Sequence, residues 1–109
     1  MPDLLGYRAK MGVVIPSTHT TMEPEMHSMA PRGVTFHTAR IYLAQASVGS
    51  PEEARKAVEA FQTALGIAIR DVTTAEIDHL LIGVSALSFM EGVAGSQRFE
   101  ASATSAFAP

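Results

Sequence analysis

The chain has 109 residues, with 11 acids against 8 bases, a net charge of −3 and no cysteine. That length suits one small domain. No clustered basic run offers a nucleic-acid surface, and the lack of cysteine excludes disulfides and thiol chemistry from these residues.

No apolar stretch approaches the roughly 18 residues that a membrane span requires. Residues 1–10 lack a cationic segment followed by a long apolar run, so no secretory signal is read there. A soluble, cytoplasmic protein with no membrane or nucleic-acid partner is expected.

Met11-Gly12-Val13-Val14-Ile15 is a short continuous apolar run stopped by Pro16, as in a strand covered on both faces of a parallel sheet. A polar turn, Ser17-Thr18-His19-Thr20-Thr21, follows. Thr20 with Glu23 three residues later has the pattern of a capping box, and predicts a short helix over 22–29 that ends at Pro31-Arg32-Gly33. Val34 to Ile41 is rich in β-branched and aromatic residues and reads as a second strand.

Ser50-Pro51-Glu52-Glu53 announces the strongest element. Ser50 is a good N-cap, Pro51 suits the first helical position, and Glu53 closes a second capping box. Behind it Ala54, Val58, Phe61, Leu65, Ile69 and Val72 recur at spacings of three and four, the stripe of an amphipathic helix. Glu52, Arg55, Lys56, Glu59, Gln62 and Arg70 fall on its solvent side, and Gly66 weakens it by about 1 kcal/mol relative to alanine. His79-Leu80-Leu81-Ile82-Gly83-Val84 reads as a third strand, delivering Ser85-Ala86-Leu87-Ser88 to the turn beyond.

The order β-α-β-α-β predicts a parallel three-stranded sheet. In such sheets ligands bind outside the carboxyl ends of the strands. There the chain carries Ser17-Thr18-His19-Thr20-Thr21 after the first strand, and Ser85 with Ser88 after the third. Hydroxyls and free N–H groups at helix starts suit a carboxylate or phosphate. They equally suit simple helix capping, and the residues alone leave both readings open.

Several familiar sites are absent. No G-x-G-x-x-G follows the first strand and no phosphate-loop lysine motif occurs. His19, His27, His37 and His79 form no i, i+4 pair, so no metal site is expected. His27 reads as a helix-surface residue, His37 as a strand histidine and His79 as a strand start. Arg40 is either within reach of an anion at the same edge or a solvated side chain. Gly83-Val84-Ser85-Ala86-Leu87 lacks the second glycine of a hydrolase nucleophile elbow, and every histidine precedes Ser85, contrary to the triad order of that fold.

Residues 12–25, Gly-Val-Val-Ile-Pro-Ser-Thr-His-Thr-Thr-Met-Glu-Pro-Glu, resemble the opening of the maleate cis-trans isomerases. Val34-Thr35-Phe36-His37-Thr38-Ala39-Arg40 resembles that family's second strand, and Gly83-Val84-Ser85-Ala86-Leu87-Ser88-Phe89 is similar to a loop of the arylmalonate decarboxylases. Both belong to the aspartate/glutamate/hydantoin racemase superfamily, and the likeness runs from about residue 10 to residue 92.

The resemblance implies a chain about twice this long, in which two similar α/β halves hold the substrate between them without a cofactor. It implies an isomerase, racemase or decarboxylase (a lyase) acting on small carboxylic acids. Ser85 matches the first-half cysteine of the isomerases and a carboxylate-binding serine of the decarboxylases, and is the catalytic candidate. Ser17, Thr18, His19, Val84 and Ala86 are the substrate-binding candidates. His19 stands where the isomerases carry an asparagine, Val84 replaces a threonine of the decarboxylase loop, and Ala86 is an extra residue there.

The expected fold is thus α/β, a parallel β-α-β-α-β three-layer sandwich forming one half of a two-lobed racemase-like fold. Residues 1–92 make the N-terminal half-domain and 93–109 an incomplete or disordered tail. The partners expected are a small carboxylate substrate and either the missing C-terminal half or a second copy of the chain. The isolated half is expected to be inactive. The rival reading is a non-catalytic anion-binding or interaction domain, or a degenerate remnant of such an enzyme.

Overall fold

The computed structural model describes residues 3–42, 49–84, 97, 100, 101, 103–105 and 107. The elements follow in the order β1 (Ala9–Pro16), α1 (Met22–Met29), β2 (Val34–Ile41), α2 (Pro51–Thr73) and β3 (His79–Ile82). The fold is α/β, with an open three-stranded parallel sheet of strand order β2-β1-β3.

β1 is the central strand. It pairs with β2 along its whole length, from Ala9 with Val34 to Pro16 with Ile41, and with β3 from Met11 with His79 to Val14 with Ile82. Its apolar run answers to that position, because Val13, Val14 and Ile15 are fully buried.

β1 also starts earlier than its apolar run, taking in Lys10, which is only 6% exposed. The Lys10 ammonium donates to the Ala75 carbonyl oxygen at 2.7 Å, and its main-chain N–H donates to the Asp78 carboxylate at 2.8 Å. A buried amine is tolerated when it is bonded in this way. At the other end of the β1–β2 connection, Gly33 has φ +87°, and its carbonyl accepts from the Arg8 and Ala9 N–H groups. That left-handed turn favours glycine.

α2 begins as its sequence announces. Ser50 Oγ accepts from the Glu53 N–H at 3.2 Å, and the Glu53 carboxylate reaches back to the Gly49 N–H at 2.8 Å. Its buried residues are Leu65, Ala68, Ile69 and Val72, which join Val14, Ile41, Ile77 and Ala103 in one core.

The first half of the predicted stripe is less covered: Ala54, Val58 and Phe61 are half-buried. Length explains this, because a helix of 23 residues spans about 34 Å whereas a strand of 8 spans about 26 Å. α1 lies against β2, where the His27 ring meets Phe36 edge-on at 6.5 Å.

Residues 93–109 lie largely outside the described set. Those described there are helical, with Ala103 buried in the α2 core and Phe107 packed beside it. No helix among the described residues is long and apolar enough to cross a membrane.

Candidate functional site

The carboxyl end of β1 delivers Pro16 and then the loop 17–21. The Ser17 N–H donates to the Ile41 carbonyl at 2.8 Å, and the His19 N–H closes a turn onto the Pro16 carbonyl at 3.0 Å. Ser17 and His19 are half-buried and Thr18 is exposed. Beside them the Gly83 N–H donates to the Val14 carbonyl at 2.8 Å, so the carboxyl ends of β1 and β3 lie side by side. In open α/β sheets this edge is where ligands bind.

The start of α1 corrects the expected capping box. The N-cap is Thr21, not Thr20, and its side chain makes no capping bond. Two local facts explain the difference. Pro24, at the third helical position, has no N–H for a capping hydroxyl to meet. The Glu23 carboxylate has turned instead to the Arg40 guanidinium at 2.8 Å. The role of the cap passes to His19, whose Nδ1 accepts from the Met22 N–H at 3.3 Å.

Arg40 is the residue whose bonds sequence reading did not foresee. Its side chain is exposed, as one of the two readings had it, and its guanidinium is bonded to the loop. One nitrogen donates to the carbonyls of Ser17 at 3.2 Å and His19 at 2.8 Å, and the other to Glu23. It braces the loop against β2 and leaves the local charge paired. The only signal in the sequence is its place at the carboxyl end of a strand; its acceptors lie 17 to 23 residues away.

Met22 links the loop to β3. A methyl group at Gly83 would strike Met22 Sδ and stand 3.0 Å from Ile15 Cγ2. Glycine there lets the two edges close up. Val84 is half-buried and packs against the α2 core.

Ser17, Thr18 and His19 therefore share one braced loop, next to Gly83 and Val84. Ser85 and Ala86 lie outside the described residues. The polar groups of the loop are hydroxyls and an imidazole, and these can hold a carboxylate by hydrogen bonds.

The other histidines stand apart from this loop. His37 Nε2 is 2.8 Å from Thr35 Oγ1, exposed His79 opens β3 at the opposite end, and exposed His27 lies on α1 with its ring 3.8 Å from the Glu23 carboxylate. Among the described residues no three His, Cys, Asp or Glu side chains are grouped to hold a metal.

A shallow hollow of about 340 Å³ runs along β2, lined by His37, Thr38, Ala39 and Arg40 with Asp71, Val72 and Ala75 of α2. It holds none of the expected site residues. Two carboxylates with lowered pKa lie elsewhere, both because they accept main-chain N–H bonds: Asp3 from Gly6 and Asp78 from Lys10. Compared with models of protein families, with curated proteins and with solved structures, the chain matches none.

Proposed function

We propose that this chain is the first lobe of a cofactor-independent isomerase, racemase or decarboxylase acting on small carboxylic acids. In this reading the sheet is the middle layer of a three-layer α/β lobe, and a second, similar lobe closes over its carboxyl edge. Ser17, Thr18 and His19 hold one carboxylate of the substrate, together with the backbone at Val84 and Ala86. Ser85 holds a carboxylate or the enolate that develops from it, since preorganised donors count most where negative charge appears. The thiol that moves a proton belongs to the second lobe, because a neutral serine hydroxyl is a poor proton carrier near pH 7.

The observation that supports this reading is the braced loop: Arg40 fixes two of its carbonyls beside the end of β3. The absence of cysteine favours a second reading, an anion-binding domain without turnover.

The test is to titrate malonate, maleate and phenylmalonate into the isotopically labelled chain and follow amide shifts and product formation by NMR. Saturable shifts at Ser17, Thr18, His19 and Val84, without turnover, are expected. Shifts confined to the β2 hollow, or none, would remove the carboxylate site. Turnover by the chain alone would overturn the two-lobe assignment. In a version joined to a cysteine-bearing lobe, Ser85→Ala should sharply reduce activity; loss of turnover with binding retained assigns the serine to chemistry rather than to affinity.

A further inference from the structure

We infer that His19 is a pH-sensitive clasp on the start of α1. The clasp is independent of any substrate reading, because it rests on the bond from the Met22 N–H to His19 Nδ1 at 3.3 Å. A ring nitrogen accepts a hydrogen bond only when it carries no proton, so this contact requires the neutral imidazole with its proton on Nε2. The imidazolium has two donors and no acceptor. Protonation therefore turns the Met22 contact from a bond into two N–H groups facing each other.

Among the described residues no other cap replaces it, because the Thr21 side chain makes no capping bond and Pro24 has no N–H to offer one. The clasp is therefore closed while the ring is neutral and open once it is protonated.

The charged surroundings are few. From β2, the Arg40 guanidinium donates to the His19 carbonyl at 2.8 Å. From α1, the Glu23 carboxylate is held by Arg40, with His27 at 3.8 Å. Asp71 of α2 lines the same hollow as Arg40, and His79 of β3 lies at the opposite end of that strand. Opening of the clasp frees the first turn of α1 and with it Met22, the side chain packed over Gly83.

The experiment follows the full chain by nitrogen NMR of the histidine rings and by amide hydrogen exchange between pH 5 and 8. At pH 8 the His19 ring should carry its proton on Nε2. Protection of the Met22 amide, corrected for intrinsic exchange, should fall about fivefold as the ring protonates, the effect of losing one cap. His19→Asn places a non-titrating oxygen where Nδ1 stands, and should keep protection level across the range. A proton on Nδ1 at pH 8, or equal pH profiles in the wild type and His19→Asn, overturns the clasp. If the variant does not fold, the ring measurement on the wild type still decides.

Discussion

The Arg40 guanidinium stands 2.8 Å from the main-chain carbonyl of His19, so the last part of β2 holds the loop that leaves β1. The same side chain meets Glu23, but both partners are about one third exposed, and such ion pairs contribute about 0.2–1 kcal/mol. The carbonyl bonds matter more for shape than the ion pair does for energy. Arg40→Met should lower stability by about 1 kcal/mol and increase amide exchange through residues 17–21. Glu23→Gln should lower it less and leave that exchange nearly unchanged. Urea unfolding with exchange mapping separates the two, and equal loop exchange in both variants would mean that Arg40 acts only through the ion pair.

Gly12 on β1 lies under Ile77, whose Cδ1 occupies the space a methyl group would take. Gly12→Ala should destabilise by about 1–3 kcal/mol through overpacking. Ile77→Val removes that carbon. The double variant should be more stable than the sum of the two single changes, which a double-mutant cycle by denaturant unfolding measures.

Gly66 sits at an exposed position of α2 with open space around it. Gly66→Ala should stabilise by about 1 kcal/mol, the difference in helix propensity. A higher thermal midpoint without spectroscopic change is the expected result; a lower midpoint would mean that the position is covered.

Asp78 and Asp3 both have pKa values below the ordinary 3.8, through the N–H groups of Lys10 and Gly6 respectively. The sign follows. The unfolded chain binds protons at a higher pH than the native one, so the stabilisation is complete above the ordinary value and is lost as pH falls through the lowered native values. Urea midpoints should therefore drop as the pH falls below about 4. Asp78→Asn should cost stability at neutral pH and flatten that drop; an unchanged slope would exclude Asp78 as a contributor.

What could be read in the sequence is what is local. α2 was legible because Ser50, Pro51 and Glu53 act within one turn and its stripe repeats. The core of β1 was legible because a central parallel strand is apolar on both faces. Its true start was not, because Lys10 enters the strand by bonding to a carbonyl 65 residues further on.

β3 was expected to run to Val84, but its ladder ends at Ile82, opposite Val14. The position of the candidate loop followed from strand order alone. Its internal wiring did not, since Pro24 disables the expected box and Arg40 arrives from another strand. The expected roles of Ser85 and Ala86 fall on residues outside those described.

The buried Lys10 has one further consequence. The chain has two lysines, Lys10 at 6% exposure and Lys56 on the open face of α2. An acylating reagent meets Lys56 at once, whereas it reaches Lys10 only when the end of α2 lifts from β1 and releases the Ala75 carbonyl. Two amines of the same chemistry thus form a clock and its reference, and the ratio of their labelling times the opening of the fold from inside one molecule.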